Sequence, residues 1–174
     1  SSSNTRNNGS FFGSLTSSGS VDYRIPAQEM GGMTVNASIT YDPNPGGAAA
    51  KGGVAAANGG SGVAYTLQLA HESGLEIGGG IEQIDNATGT TGTDEDSATV
   101  YAKFAMGPIV IGTQESYQNS ANGAEDKEGT AWGVAYTAGD ISVSYGESAY
   151  QNHGLNGSTV VETEMDSMQI AYTM

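Results

Sequence analysis

Apolar side chains recur at every second position along almost the whole chain, and the 3.6-residue recurrence of an amphipathic helix is absent. From Val63, the residues Val63, Tyr65, Leu67 and Leu69 alternate with Ala64, Thr66, Gln68 and Ala70. Glu72-Ser73-Gly74 reads as a tight turn. After it, Leu75, Ile77, Gly79 and Ile81 alternate with Glu76, Gly78, Gly80 and Glu82. A period of two sends successive side chains to opposite faces of a strand. The stretch is therefore a β-hairpin with one apolar face and one face of small or polar groups.

The unit repeats. Val100, Ala102 and Phe104 run into Gly107-Pro108 and out through Ile109 and Ile111; Trp132, Val134 and Tyr136 run into Gly139-Asp140 and out through Ile141, Val143 and Tyr145. Upstream, Val21-Tyr23-Ile25 and Val35-Ala37-Ile39-Tyr41 flank a turn around Gly31-Gly32, and the last run is Met168-Ile170-Tyr172. The turn glycines Gly74, Gly107 and Gly139 are 33 and 32 residues apart. The pattern predicts nine strands near 18–26, 33–42, 62–71, 75–84, 97–106, 109–118, 130–137, 141–150 and 165–174. Long connections rich in Gly, Asn, Thr and acids (43–62, 85–97, 118–129 and 151–164) alternate with the tight turns. Tight turns join only adjacent strands, so antiparallel pairing of nearest neighbours follows.

Composition narrows the setting. The chain has 174 residues, a net charge of −14 and only 14% charged residues. So acidic a chain repels nucleic-acid phosphates, and no basic cluster compensates, which argues against nucleic-acid binding. Without cysteine there is no disulfide framework, thiolate metal site or thiol nucleophile. No apolar run reaches the ~18 residues of a transmembrane helix, which leaves the short, half-apolar strands of a membrane barrel untouched.

Two all-β architectures share the alternation: a transmembrane up-and-down barrel and a soluble sandwich. Three features favour the barrel. The polar face is mostly Gly, Ala, Ser, Thr, Asn and Gln, whereas a soluble surface carries roughly a quarter or more of charged residues. Strands of about 9–11 residues suit a tilted crossing of the hydrocarbon layer. Aromatics sit on the apolar phase toward strand ends, Tyr41, Tyr65, Trp132 and Tyr145 toward the long connections and Phe104, Tyr136 and Tyr172 toward the tight turns. Membrane interfaces suit rings with an apolar body and a polar tip. A soluble or surface-displayed β-sandwich adhesin or binding module, and a structural surface or filament subunit of stacked hairpins, stay open beside it.

Three segments resemble a known family. SVDYRIPAQEMGGMTVNASITYDP is similar to the strand, short turn and Gly-Gly-aliphatic strand that follow the constriction loop in the general porins of Gram-negative bacteria, while GTAWGVAYTAGDISVSYG and MDSMQIAYTM resemble later hairpins. The resemblance implies one β-barrel domain over 1–174, part of a barrel of about 16 strands. It also implies a homotrimer in the bacterial outer membrane among lipid and lipopolysaccharide, and a water-filled channel for passive diffusion of ions and small hydrophilic solutes. No enzyme activity and no cofactor follow from it. Residues 1–17 would belong to the inward loop or the strand after it, and further strands are expected beyond both ends of the sequence. The sequence departs from the family pattern in lacking the early strands and the C-terminal aromatic.

Catalytic constellations are lacking, as a passive pore permits. The inner-phase residues Asp22, Arg24, Glu76, Glu82 and Lys103, with Gln68 and Gln114, are the pore-lining candidates. On a lipid face a Lys or Arg would cost about 2–4 kcal/mol at the bilayer midplane, whereas in a narrow aqueous lumen it acts on passing ions. Of the five basic residues, Arg24 and Lys103 are the two expected on the inner face. Asp94, Glu95 and Asp96 are weak candidates for a divalent ion bridging to lipopolysaccharide phosphates, since neither they nor Glu125-Asp126-Lys127-Glu128 have EF-hand ligand order. His71 and His153 are expected to be surface or interface residues. Gly78-Gly79-Gly80, in a strand with no helix following, is expected to permit bending or close approach of another backbone rather than to cradle phosphate.

Overall fold

A computed structural model describes residues 20–43, 61–85, 94–119, 126–153 and 161–172. The described residues form one antiparallel meander of nine strands: β1 (Val21–Met30), β2 (Met33–Asp42), β3 (Ser61–His71), β4 (Leu75–Asp85), β5 (Glu95–Met106), β6 (Ile109–Asn119), β7 (Asp126–Ala138), β8 (Ile141–His153) and β9 (Val161–Tyr172). Each strand pairs with its sequence neighbour, in the order β1 to β9, and β1 and β9 form the edges of the open sheet. All four tight turns fall where the glycines predict. Gly31, Gly32, Gly74, Gly107 and Gly139 have φ between 56° and 92°, a region that a Cβ makes costly.

Boundaries depart from the sequence reading at the polar ends of strands. β7 begins at Asp126 rather than near 130, β8 runs on to His153 rather than stopping near 150, and β9 begins at Val161 rather than near 165. Ladder hydrogen bonds join backbones and need no apolar alternation, so they continue through Asp126-Lys127-Glu128 opposite Gln151-Asn152-His153. β1 likewise passes Pro26, where the first strand was expected to end, and continues to Met30. The register shifts between Ile25 and Gln28, and this bulge accommodates a residue with no N–H to donate.

Register divides the side chains into two faces, because directly paired residues share one. Every exposed large apolar side chain among the described residues except Met165 lies on the face of Tyr41, Leu67, Ile77, Ile111, Val143 and Ile170. The opposite face carries small and polar groups and is the better covered: Asp42, Ser97, Ser116 and Gln118 are buried there, with Ile84 the one buried large apolar side chain among the described residues. A domain folded for water would have these exposures reversed.

The β1–β2 and β3–β4 turns share a ladder row, Met33 pairing with His71, but the later turns are displaced along the ladder. Leu75, which ends the β3–β4 turn, pairs with Phe104, two residues short of the β5–β6 turn at Met106. Ile109 pairs with Tyr136, again two residues short of the β7–β8 turn at Ala138. An offset of ~6.6 Å along the strand over ~9.6 Å across two strand spacings corresponds to a tilt of about 35°, the lower end of the range for membrane barrels.

Candidate functional site

All seven residues singled out for an aqueous lumen fall on the polar face. Asp22 and Arg24 stand on β1, Gln68 on β3, Glu76 and Glu82 on β4, Lys103 on β5 and Gln114 on β6. Lys127, placed in a loop by the sequence reading, is on β7 opposite Gln118 and joins the same face. All three basic residues among the described ones therefore lie there, correcting the two expected. The extension of β7 accounts for the third.

At the centre, four strands are joined by one hydrogen-bonded seam. Lys103 Nζ on β5 is 2.8 Å from Glu76 Oε2 on β4. The other carboxylate oxygen, Oε1, accepts from Tyr101 Oη and from Gln68 Nε2, both at 2.9 Å. Gln68 also donates to Tyr101 Oη at 3.2 Å, and its Oε1 accepts from Asn36 Nδ2 of β2 at 3.2 Å. Glu76 is 20% exposed and Lys103 45%, so the pair is partly shielded and its charges largely offset. Nearer the β1 edge, Arg24 Nε donates to Asp22 Oδ2 at 2.8 Å and Thr40 Oγ1 to Asp22 Oδ1 at 3.1 Å. Arg24 is 83% exposed, so this pairing is weak. Toward β6, Gln114 Nε2 donates to Thr99 Oγ1 at 3.3 Å and Ser116 Oγ at 3.2 Å.

Tyr101 was missed by the sequence reading, although the signal was there: it stands out of phase with Val100, Ala102 and Phe104. With Tyr150 it makes the pair of aromatic rings on the polar face among the described residues. Gly78, its cross-strand partner, explains how the ring fits. A Cβ on Gly78 would lie 2.6 Å from Tyr101 Cε1. The expected close approach of backbone occurs at the next residue, where a Cβ on Gly79 would meet Thr99 O at 2.6 Å.

Other candidates separate. Glu95 and Asp96 are consecutive strand residues and lie on opposite faces, with Asp94 just outside β5. Among the described residues no group of three His, Cys, Asp or Glu side chains could hold a metal ion. His71 Nδ1 bonds Ser73 Oγ at 2.8 Å inside a tight turn, whereas His153 Nε2 lies 3.4 Å from Glu128 Oε2 across β7 and β8. That contact spans 25 residues of sequence and gave no local signal.

A tilted antiparallel meander with an exposed apolar face and a hydrogen-bonded polar face defines a wall of a transmembrane β-barrel. Residues 1–173, nearly the whole chain, match the family of Gram-negative porins, and the chain belongs to that family. It is accordingly an outer-membrane porin of a non-enzymatic channel family whose members generally form oligomers. No curated protein sequence and no solved structure matches the chain.

Proposed function

We propose that the polar face lines a water-filled channel through which ions and small hydrophilic solutes diffuse passively. In this reading the working assembly is a homotrimer, embedded among outer-membrane lipid and lipopolysaccharide. The segregation of chemistry between the two faces carries it: exposed apolar side chains on one, a continuous band of Ser, Thr, Asn, Gln and paired charges on the other. Asp22, Arg24, Gln68, Glu76, Glu82, Lys103 and Gln114 would line the channel. Among the described residues carboxylates outnumber bases on that face, with Asp22, Glu29, Asp42, Glu76, Glu82 and Glu95 against Arg24, Lys103 and Lys127. A charge on a low-dielectric wall beside confined water acts strongly on a passing ion. The channel should therefore favour cations and neutral solutes over anions.

A soluble sandwich would cover the apolar face with a second sheet, and a filament subunit with a neighbouring chain. Detergent dependence separates both from a channel. The protein purified from membranes and added to a planar bilayer is expected to give stepwise ohmic conductance, with a reversal potential on the cation side in a salt gradient. Folded protein that is monodisperse without detergent, or that inserts without conducting, would overturn the channel.

A further inference from the structure

We propose that Tyr101 forms a stacking platform for a neutral, ring-shaped hydroxylated solute, with the chemistry of a sugar, on the inner wall of the channel. This rests on the polar face lining the pore. The platform's position is unusual: of the described aromatic residues, all but Tyr101 and Tyr150 lie on the apolar face. Tyr101 is also fixed. Gly78 beneath it has no side chain to lift the ring, and Tyr101 Oη is committed twice, donating to Glu76 and accepting from Gln68. A ring held in place before binding loses little conformational freedom when a solute arrives.

Chemistry around the ring suits the same ligand. Tyr101 borders a hollow of about 1100 Å³ on the polar face, whose rim includes Asn36, Ser38, Gln68, Asp22 and Arg24. Amides, hydroxyls and the compensated Asp22–Arg24 pair offer both donors and acceptors to solute hydroxyls. Glu76 and Lys103 offset one another beside the ring, and Glu82 on the same hollow adds a carboxylate able to accept from solute hydroxyls. An aromatic face next to neutral hydrogen-bonding groups fits a solute with one apolar face and a hydroxylated edge, as a pyranose has. The structural alternative is that Tyr101 only covers the bare backbone at Gly78, in which case its loss alters stability and leaves solute binding unmoved.

The experiment compares glucose with sorbitol, an open-chain polyol of similar size with no ring face, on the reconstituted native protein. Ion conductance is measured first, and its absence would overturn the channel itself and the platform with it. In a conducting channel, glucose is expected to reduce the current saturably, with sorbitol acting only through solution viscosity. Tyr101→Leu should weaken the apparent glucose affinity by roughly five- to tenfold, the scale of an aromatic contact, with block read as a fraction of the variant's own open current. Tyr101→Phe keeps the ring and should retain most of the block. If the leucine variant does not fold, Gly78→Ala, which displaces the ring from the wall, should lower the affinity in its place. Equal block by glucose and sorbitol in a conducting native channel, or native-like affinity in Tyr101→Leu or Gly78→Ala, would overturn the platform and leave the channel standing.

Discussion

Gly78 and Gly79 are consecutive in β4 yet meet different obstacles. A Cβ on Gly79 would strike the carbonyl oxygen of Thr99, which belongs to the paired backbone, whereas one on Gly78 would strike the far end of the Tyr101 side chain. Backbone in a ladder cannot retreat without breaking the strand pairing, whereas the ring tip can swing into the lumen at the loss of its two side-chain hydrogen bonds alone. Gly79→Ala should therefore destabilise the protein by about 1–3 kcal/mol, the usual range for overpacking, and Gly78→Ala by clearly less. Urea unfolding followed through Trp132, the single tryptophan, would measure both, and the reverse order would mean that the ring is held more rigidly than the strand. Lys103 gives a second test at this scale. Because Glu76 already offsets it, Lys103→Glu turns a compensated pair into two adjacent acids. Cation over anion permeability should rise modestly, and the rise should shrink in high salt as the charges are screened. Low-salt reversal potentials would show it, and an unchanged ratio at intact conductance would place Lys103 off the ion path. The sequence carried the phase of Lys103 and Glu76, but their contact links residues 27 apart, and two of the three partners of Gln68, Asn36 and Tyr101, lie 32 and 33 residues away. Pairings of that kind depend on register, which alternation alone leaves unspecified by steps of two.

At the level of elements, alternation identified each strand and each face, because one face apolar and the other polar leaves a period of two in the sequence. It failed where that contrast fades. β7 opens with Asp126-Lys127-Glu128 and β8 closes with Gln151-Asn152-His153, polar on both faces. With those extensions Trp132 and Tyr145 stand well inside their strands rather than near the ends expected for them. Their rings meet edge to face at 5.8 Å between centroids, a geometry that contributes about 0.5–1.5 kcal/mol beyond burial. The faces themselves can be checked by cysteine labelling in the assembled protein. Cysteines replacing Val35, Leu67, Leu69, Ile77, Ile81, Phe104, Ile111, Val134, Val143 or Ile170 should resist a membrane-impermeant thiol reagent, and those replacing Thr66, Gln68 or Ser144 should react through the lumen. The opposite pattern would invert the sheet. Topology should follow the asymmetry of the connections, with tight turns on the periplasmic side and long connections outside. Protease added to intact cells is then expected to cut within 43–62 or 118–129. Cleavage only once the outer membrane is opened would reverse the orientation.

Across the whole molecule the apolar band is uneven, and tilt makes the comparison possible only by counting from the tight turns. Six residues from its turn, each strand from β2 to β8 presents an outward side chain: Ile39, Tyr65, Ile81 and Val100 on β2 to β5, then Glu115, Trp132 and Glu147 on β6 to β8. At a tilt of about 35° that level is roughly 16 Å above the turns, inside a band that in membrane barrels is about 25 Å tall. An outward carboxylate there could not face hydrocarbon cheaply. Glu147 is instead drawn into the aromatic cluster, accepting from Trp132 Nε1 at 3.0 Å and from Tyr145 Oη at 2.6 Å. Indole and phenol groups that keep one polar tip hydrogen-bonded belong to the headgroup level. The hydrocarbon boundary should therefore dip along β6 to β8 by about one outward residue relative to β2 to β5. Trp132 reports on this directly, since no other tryptophan contributes to the emission. In vesicles of brominated lipids, bromines placed near the headgroup should quench it more strongly than bromines deep in the tails. Stronger quenching from the deep position would put Glu147 within the hydrocarbon, and weak quenching from both would mean that this part of the wall is covered by protein rather than by lipid.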